Sequence, residues 1–538
     1  MGNVITLGVH TMGHDTGACL FRDGTLIFSV ETERLTRVKH DSAVQVALDH
    51  LFQESGVGPQ EVSCVAFSTN VRNAIARIRD FDRLNAGIGR DGTLHAVSEC
   101  DMLGTTRPCV VVAHEAAHAA LACHYAGWRD RGTILVNEGH GSFTRNSTFQ
   151  YQASRLTLVD QDALPWFASG LGWSVIAHLL GFGTAPSAAG TIMALGAYAE
   201  PDDAARAVYA AMPRDLHVMP RPQQIAASGP LASYLSRQTC FEGKARAVAT
   251  LQEMFTAETA RYVAGRIAAD RSAWLGLSGG CALNLPTNTA LRQDVIADVA
   301  IPPNCNDSGQ AIGAAVYALT ACAGITPQPF SAYSCGRAVT TDDVHAAARR
   351  RGLTVAPYDP VAVAARLAEG EVVAMCQGRA ELGPRALGNR SLLASAHRPG
   401  MRRRVSEQLK HREWFRPLAC VMRSDRFQAR FPGLPGSPYM LFSYAMPPRF
   451  APEATHRDGT SRIQTLAPGD NPRLAELLDR YESATGCPAL LNTSLNARGR
   501  AIAYSVDDAF DDFLVDGASM FVLGDLTIDA GAAAGVAA

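Results

Sequence analysis

The stretch Val110-Val111-Val112-Ala113, followed by His114-Glu115-Ala116-Ala117-His118, decides the fold of this chain. The valines are typical of a buried β-strand, and the alanine-rich segment after them predicts a helix over Glu115–Ala126. Residues four apart lie on one face of a helix, so His114 and His118 can bind the same metal ion. A strand that leads directly into a helix indicates an α/β protein.

The same letters match the H-E-x-x-H motif of zinc proteases, in which Glu115 would be the general base. A protease has no use for the glycine-rich and arginine-rich segments found elsewhere in this chain. We therefore favour a metal site without proteolysis. An actin-like kinase or ATPase is a second alternative, but it does not explain the histidine pair.

Composition limits the remaining possibilities. A chain of 538 residues is too long for one hydrophobic core, so we expect at least two domains. The net charge of -2 gives no electrostatic reason to expect binding to nucleic acid or to a membrane. The start of the chain lacks the pattern of a signal peptide, and the most apolar stretch, Leu171–Gly183, is too short to span a bilayer. Thirteen scattered cysteines without a CxxC pair indicate reduced thiols and a cytoplasmic location.

The order of predicted elements suggests two α/β domains. Residues 4–30 read as strands of a hairpin that opens the first domain, with a turn at Asp23-Gly24. The segment Gly324–Tyr333 carries two prolines and no clear period, so we place the domain boundary after it. The expected domains are residues 1–335 and 336–538.

The first candidate site is the turn Gly13-His14-Asp15-Thr16-Gly17, after the first predicted strand. Glycines let backbone N–H groups approach an anion. An imidazole can serve as an acid or base near neutral pH, so His14 is our candidate catalytic residue. The alternative is an ordinary polar turn.

A second candidate site follows a later strand, where Ser278, Gly279 and Gly280 form a turn and Asn284 follows. Such a turn presents bare backbone to a nucleotide. Further along, Asn306 and Asp307 precede a helix rich in Gly and Ala. The Asp307 carboxylate could complete a metal site with the two histidines, although an aspartate there could equally be an N-cap.

A third candidate site, in the second half, contains the string GRAELGPRALGNRS (378–391) and the string KHREWFRP (410–417). Its basic side chains suit a polyphosphate, and three later polar residues alternate along an expected strand so that they face one side. The basic residues are Arg385, Arg390, Lys410 and Arg416, and the polar ones are Asn492, Ser494 and Asn496. A solvated basic surface is the alternative, and we assign Arg402–Arg404 to solvent.

At these segments the sequence resembles the O-carbamoyltransferases of antibiotic and nodulation-factor biosynthesis. The resemblance covers nearly the whole chain. It implies an N-terminal actin/Hsp70-like domain, similar to that of tRNA threonylcarbamoyl transferases, and a C-terminal YrdC-like domain. The YrdC-like domain would form carbamoyl adenylate from ATP and carbamoyl phosphate, and the N-terminal domain would transfer the carbamoyl group to a hydroxyl of a small-molecule natural product.

The resemblance also implies roles for individual residues. His114, His118 and Asp307 match metal ligands, with iron(II) implied by the family and zinc also compatible with these ligands. Mg²⁺ is a further candidate cofactor. His14 matches the catalytic histidine. The residues that match the adenylate-forming site are Arg385, Arg390, Lys410, Arg416 and Ser494.

The chain departs from the family pattern after the predicted strand Thr133–Val136. Asn137-Glu138 stands where related proteins often have Asp-Gly, so Glu138 is a candidate substitute for a further ligand or base expected at that position. We group Asn137 and Glu138 with Ser278, Gly279, Gly280, Asn284 and Asn306 as a transfer or nucleotide site. A tRNA-modifying relative would share both domain types, but the near-neutral charge offers no basic surface for RNA. The sequence does not identify the acceptor alcohol or the oligomeric state.

Overall fold

The computed structural model describes residues 4–11, 13–68, 76–89, 92–102, 104–139, 141, 144–183, 187–216, 228–447, 449–514 and 517–530. It confirms an α/β protein. Packing divides the chain into two compact units: unit 1 contains Met1–Ser29 and Ser42–Pro329, and unit 2 contains Val30–Asp41 and Phe330–Ala538. The excursion 30–41 therefore packs with the second half of the chain, a feature that a single boundary does not describe. The division into folding domains at residue 335 stays a prediction.

Unit 1 contains a seven-stranded sheet in the order β3-β2-β1-β4-β7-β6-β5. Its strands are β1 (Ile5–His10), β2 (Gly17–Arg22), β3 (Thr25–Glu31), β4 (Cys64–Ser68), β5 (Arg77–Ile78), β6 (His95–Met102) and β7 (Thr105–Val112). β1, β4 and β7 are parallel, while β2 runs antiparallel to β1. The predicted opening hairpin is confirmed.

A second sheet of unit 1 has the order β10-β9-β8-β11-β12. Its strands are β8 (Gly132–Asn137), β9 (Asn146–Gln152), β10 (Arg155–Gln161), β11 (Trp274–Ser278) and β12 (Val299–Ala300). β8 and β11 are parallel, with Val136 opposite Ser278, so the two strands end side by side.

Unit 2 is built on a nine-stranded mixed sheet in the order β13-β21-β20-β14-β15-β19-β16-β18-β17. Its strands are β13 (Ala356–Pro357), β14 (Val373–Cys376), β15 (Arg390–Ser395), β16 (Ala419–Arg423), β17 (Ser443–Ala445), β18 (Thr460–Leu466), β19 (Ala489–Ser494), β20 (Met520–Leu523) and β21 (Leu526–Asp529).

The α-helices accompany these sheets. In chain order they are α1 (Thr32–Thr36), α2 (Val44–Ser55), α3 (Phe81–Gly87), α4 (His114–Tyr125), α5 (Gly170–Leu179), α6 (Ser187–Gly196), α7 (Asp203–Ala211), α8 (Gly229–Ser236), α9 (Phe241–Asp270), α10 (Leu285–Ala290), α11 (Gln310–Tyr317), α12 (Thr341–Arg350), α13 (Pro360–Ala368), α14 (Ser424–Arg430), α15 (Pro472–Thr485) and α16 (Val506–Phe513). In the described part of the chain, no helix is long and apolar enough to cross a membrane.

The core of unit 1 is a pair of buried helices, α4 and α11. Helix α11 packs on β1, β2 and β4, and α4 packs on β8 and β11, so the pair lies between the two sheets. Small residues permit their close contact, because a Cβ on Gly313 would lie 2.3 Å from the carbonyl oxygen of Ala117. A Cβ on Gly8 of β1 would likewise lie 2.2 Å from the carbonyl oxygen of Ala311. Both helices begin at the same end of this contact, where the candidate site lies.

Several expectations for the fold stay predictions. The chain combines helices with β-sheets, as expected for an α/β protein. The actin/Hsp70-like and YrdC-like assignments rest on the resemblance and stay predictions. The predicted irregular excursion Arg430–Ala451 contains one short strand, β17. All thirteen cysteines are free thiols.

Candidate metal centre and anion site

Unit 1 brings His114, His118, Glu138 and Asp307 together in a buried cluster. Each offers one ligand atom, and these atoms lie within 4.8 Å of one another. His114 follows β7 as the first residue of α4, Glu138 follows β8, and Asp307 opens the turn before α11. The cluster thus forms where parallel strands end and two helices begin, a usual place for a site in an α/β fold.

The distances in this cluster suit a shared ion. Glu138 bridges both histidines, with 2.8 Å from its Oε2 to His114 Nε2 and 2.7 Å from its Oε1 to His118 Nε2. The Oδ1 atom of Asp307 lies 3.5 Å from His114 Nε2 and 3.3 Å from His118 Nε2. From the sequence we grouped Glu138 with the transfer site, as a substitute for a missing ligand or base. In the structure its carboxylate lies between the two imidazoles.

The protonation of His118 follows from its other neighbour. Ser278 Oγ donates a hydrogen bond to the carbonyl oxygen of Cys305 at 3.2 Å, so it can only accept from His118 Nδ1, 3.1 Å away. Nε2 is then the atom that faces the two carboxylates and would face a metal ion. Without a metal, these carboxylates outweigh burial and raise the pKa of His118, which favours a proton on Nε2 as well. This arrangement is typical of a metal-ligating histidine that is oriented by a second partner.

The electrostatics of the cluster fit a cation. Burial acts to lower the pKa of His114, but the carboxylates of Glu138 and Asp307 outweigh it and raise that pKa to about 10. Burial acts to raise the pKa of Glu138, and the two histidines hold it well below its usual range. In the metal-free protein, protons on the histidines therefore balance the negative charge of the carboxylates, which a bound metal ion would otherwise balance. Two imidazoles and two carboxylates suit iron(II) or zinc equally.

His14 lies beside this cluster, as the sequence predicted. Its Nδ1 atom is 3.1 Å from Asp15 Oδ2 and 3.5 Å from Asp307 Oδ2. The hydrogen bond to Asp15, together with the charge of Asp307, outweighs burial and raises the pKa of His14 to about 9. We expected a value near neutrality; the two carboxylates keep the ring protonated at neutral pH in the metal-free protein.

Two further residues at this site were missed in the sequence. His10, at the end of β1, is fully buried, and burial lowers its pKa to about 4, so its ring is neutral. Gln310 donates a hydrogen bond to the carbonyl oxygen of His114 at 3.1 Å and accepts one from Ser68 at 2.8 Å. These residues follow no motif, and only the packing of β1 and α11 reveals them.

The other residues of the predicted transfer site divide into two groups. Gly279 has a φ of 86°, and a Cβ there would lie 2.4 Å from the carbonyl oxygen of Asn137, so only glycine permits this turn beside Glu138. Space is open around Gly280, as a ligand-facing turn requires. Asn137 donates to the carbonyl oxygen of Ala168 at 2.9 Å.

Asn284 and Asn306 are structural in this unit. Asn284 caps α10 by accepting from the backbone N–H of Thr287, and it exchanges two hydrogen bonds with Gln252. Asn306 Oδ1 accepts from Ser308 Oγ at 3.0 Å in the turn before α11. The place of both residues in a nucleotide or transfer site stays a prediction.

Unit 2 brings Lys410, Ser494 and Asn496 together. The buried ammonium of Lys410 donates to Ser494 Oγ at 3.1 Å and to Asn496 Oδ1 at 2.7 Å, and it also contacts the Ser494 carbonyl oxygen. Burial, followed by the charge of Arg412, holds the pKa of Lys410 well below its usual range.

The surroundings of Lys410 are strongly basic. Burial and the neighbouring Arg416 and Arg385 lower the pKa of Arg412 to about 9. Burial and the nearby guanidinium groups lower the pKa of Arg462 well below its usual range. Cations concentrated in this way require an anion. Arg385, Lys410 and Arg416 were predicted; Arg412 and Arg462 were not, because the first stands unremarked inside the quoted string and the second lies alone on β18.

Arg390 and Asn492 do not join this basic cluster through their side chains. The guanidinium of Arg390 is buried and donates to the carbonyl oxygens of Tyr504, Gln377, Asn389 and Gly378. Backbone carbonyls hold its guanidinium in place, and its predicted place in the adenylate site stays a prediction. Asn492 is buried on β19 and donates to Gln464 at 2.8 Å, so it is a packing residue of the sheet.

Comparison with known proteins covers both units. Residues 5–79 and 93–316 match the model described as Carbamoyltransferase N-terminus, and residues 364–530 match Carbamoyltransferase C-terminus. The 3'-hydroxymethylcephem-O-carbamoyltransferase of Amycolatopsis lactamdurans is 30% identical over 532 residues, which is 95% of this chain and 97% of that protein.

Two further similarities are partial. Nodulation protein U of Rhizobium tropici is 43% identical over 231 residues, which is 42% of this chain and 39% of that protein, so the chain matches about two fifths of its length. The solved activator of the 2-hydroxyisocaproyl-CoA dehydratase from Clostridium difficile covers 60% of this chain and 96% of its own, with 12% identity and a TM-score of 0.35, which is too distant to carry an argument. Both family models and the cephem relative span the two units, and the chain belongs to the carbamoyltransferase family.

Proposed function

We propose that this chain is an ATP-dependent O-carbamoyltransferase that acts on a hydroxyl of a small-molecule natural product, with carbamoyl phosphate as donor and carbamoyl adenylate as intermediate. The observation that carries the proposal is the histidine–carboxylate cluster of His114, His118, Glu138 and Asp307 in a chain of this family. The proposed reaction also needs a site that binds phosphates, and the basic cluster in unit 2 could supply it.

The first half-reaction belongs to unit 2 in this proposal. Water cleaves carbamoyl phosphate into phosphate and carbamate, and a carbamate oxygen then attacks the α-phosphorus of ATP, which forms carbamoyl adenylate as pyrophosphate leaves. Lys410, Arg412 and Arg416 neutralise the negative charge on these phosphates. Because Lys410 is already held by Ser494 and Asn496, it is oriented before the ligand arrives.

The transfer step belongs to unit 1. A divalent metal on the four-residue cluster would act as a Lewis acid on the carbamoyl carbonyl. His14 is positioned to take the proton of the attacking hydroxyl, and AMP is the leaving group. The raised pKa of His14 depends partly on the negative charge of Asp307, so neutralising that carboxylate moves the pKa back towards the range of a useful base.

The acceptor is proposed by class only. The cephem relative carries the name of a 3'-hydroxymethylcephem enzyme, which makes a primary alcohol on a fused-ring natural product one reasonable test substrate. Aminoglycosides, macrolides and ansamycins belong in the same panel. No nucleic acid or membrane is part of the proposal.

The decisive experiment incubates the protein with iron(II), ATP, carbamoyl phosphate and this panel under anaerobic conditions. Mass spectrometry should find a carbamoylated product, and AMP, pyrophosphate and phosphate should appear in amounts equal to it. His118→Ala should lose transfer while it still forms pyrophosphate, and Arg412→Met should lose pyrophosphate formation. Product formed without ATP consumption would contradict the adenylate route, and carbamoylation by the His118 variant would contradict the metal assignment.

A further inference from the structure

His10 is a buried imidazole whose hydrogen-bonding capacity is unused. The side chain is fully buried, and neither ring nitrogen has a hydrogen-bond partner among the residues that the structure describes. Buried polar groups in proteins are nearly always paired, so an unpaired one calls for an explanation. The explanation that we pursue is a ligand that pairs with it.

The ring is directed towards the metal cluster. Side chains alternate along a strand, so His10 lies on the same face of β1 as Gly8. Gly8 faces the carbonyl oxygen of Ala311 at the start of α11, and Asp307 lies in the turn that precedes this helix. The ring centroid of His10 is 6.1 Å from that of His114.

His10 nevertheless lies outside the ligand set. The group of atoms within 4.8 Å of one another contains four side chains, and His10 is not among them. His10 is also opposite Gly17 in the β1–β2 pairing, which closes the turn that carries His14. His10 therefore lies close to His114 of the cluster and at the foot of the turn that carries His14.

We propose that His10 accepts a hydrogen bond from the NH2 group of the carbamoyl moiety and so selects carbamoyl over acetyl-type groups. This inference rests on the proposed function and deepens it. A neutral imidazole has one acceptor nitrogen, and the carbamoyl NH2 is a donor that the methyl group of an acetyl lacks. A site that hydrogen-bonds one substrate leaves a buried polar atom unpaired when the analogue binds, which is a strong source of discrimination.

Binding of a stable analogue tests the inference apart from turnover. 5'-O-sulfamoyladenosine resembles carbamoyl adenylate and keeps the terminal NH2, and its N,N-dimethyl derivative lacks both N–H groups. We would measure both affinities by calorimetry with the metal-loaded protein, in an Arg412→Met background that weakens the second nucleotide site. His10→Leu should bind the NH2 analogue about tenfold more weakly, which is the change that 1.4 kcal/mol produces. His10→Asn, which keeps an acceptor and a donor, should retain affinity within a few-fold.

The dimethyl derivative is the matched control and should bind His10→Leu and the parent protein equally. Metal content should be the same in all variants, because His10 is outside the ligand set. Equal affinity of the NH2 analogue for the parent and His10→Leu would overturn the inference. If these affinities differ as expected but no carbamoylated product forms, the proposed function fails alone; if product forms and the affinities do not differ, the inference fails alone.

A thermal melt guards against a folding artefact. Replacing an unpaired buried imidazole with an apolar side chain should raise the melting temperature of the ligand-free protein, because no hydrogen bond is lost. A fall for His10→Leu together with a fall for His10→Asn would show that the ring is needed for packing and would contradict the binding role.

Discussion

Arg412→Met should stabilise the ligand-free protein and at the same time weaken its binding of nucleotide. Arg412 lies among cations, and burial together with Arg416 and Arg385 lowers its pKa to about 9. This shift corresponds to roughly 4–5 kcal/mol against the charged form. The substitution removes that penalty and also two hydrogen bonds, at 3.1 Å to Thr493 Oγ1 and 3.4 Å to Ser494 Oγ, each worth about 0.5–1.5 kcal/mol.

The net effect is a gain of roughly 1–4 kcal/mol in the free energy of unfolding, the range found when buried charges are replaced by apolar side chains. For a unit of this size it raises the melting temperature by about 2–4 °C per kcal/mol. The direction in which the stability effect of Arg412 changes with pH is also defined. Because the pKa of Arg412 is lower in the folded state, its penalty is fully present below pH 9 and is relieved as the pH rises above 9.

Nucleotide binding should respond in the opposite direction. A polyphosphate supplies the missing anion, so losing one partner of a buried charge pair weakens its binding by about 2–5 kcal/mol. Differential scanning calorimetry and isothermal titration with ATP measure both quantities. Arg403→Met is the matched control, because Arg403 is exposed and should change stability by less than about 0.5 kcal/mol. A lower melting temperature for ligand-free Arg412→Met, or undiminished ATP affinity, would refute the reasoning.

Four other predictions concern unit 1. Ser278→Ala should weaken metal affinity by about 10–100-fold in a chelator competition, because His118 loses its orienting partner; unchanged affinity would mean that Ser278 does not orient the ring. Gly313→Val should cost about 1–3 kcal/mol in chemical denaturation and reduce bound metal, since α4 and α11 must separate; full metal content at normal stability would contradict the close contact. The metal-free protein should lose stability as the pH rises from about 6.5 to 10, because His114, whose pKa is raised, stabilises the fold only while its ring is protonated. Thermal melts of chelator-treated and metal-loaded protein should show that metal adds more stability at high pH than at low pH. His14→Asn should accumulate carbamoyl adenylate in a quenched-flow experiment and slow transfer by about 10²–10⁴-fold, and near-normal turnover would leave His14 only a positioning role.

Much of the site could be predicted where chemistry and local geometry coincide. His114 and His118 lie one helical turn apart, and a helix imposes that relation by itself. The contact of Lys410 with Ser494 and Asn496 joins residues far apart in the chain, so the alternating pattern of Asn492, Ser494 and Asn496 could not show it. The residue type of Arg390 suits a phosphate, but only the structure shows that its guanidinium donates to backbone carbonyls.

The sequence by itself determined the α/β class, the opening hairpin, the strand that runs into α4, the histidine pair and the membership of a carbamoyltransferase family. These depend on periodicity and on motifs contained within short segments. Only the tertiary structure decided that Glu138 bridges the histidines, that Ser278 orients His118 and that His14 carries a raised pKa. It also decided that His10 is buried with no hydrogen-bond partner among the described residues. Each of these depends on the distance between residues far apart in the chain, which the packing of α4 against α11 and the shared edge of β8 and β11 set.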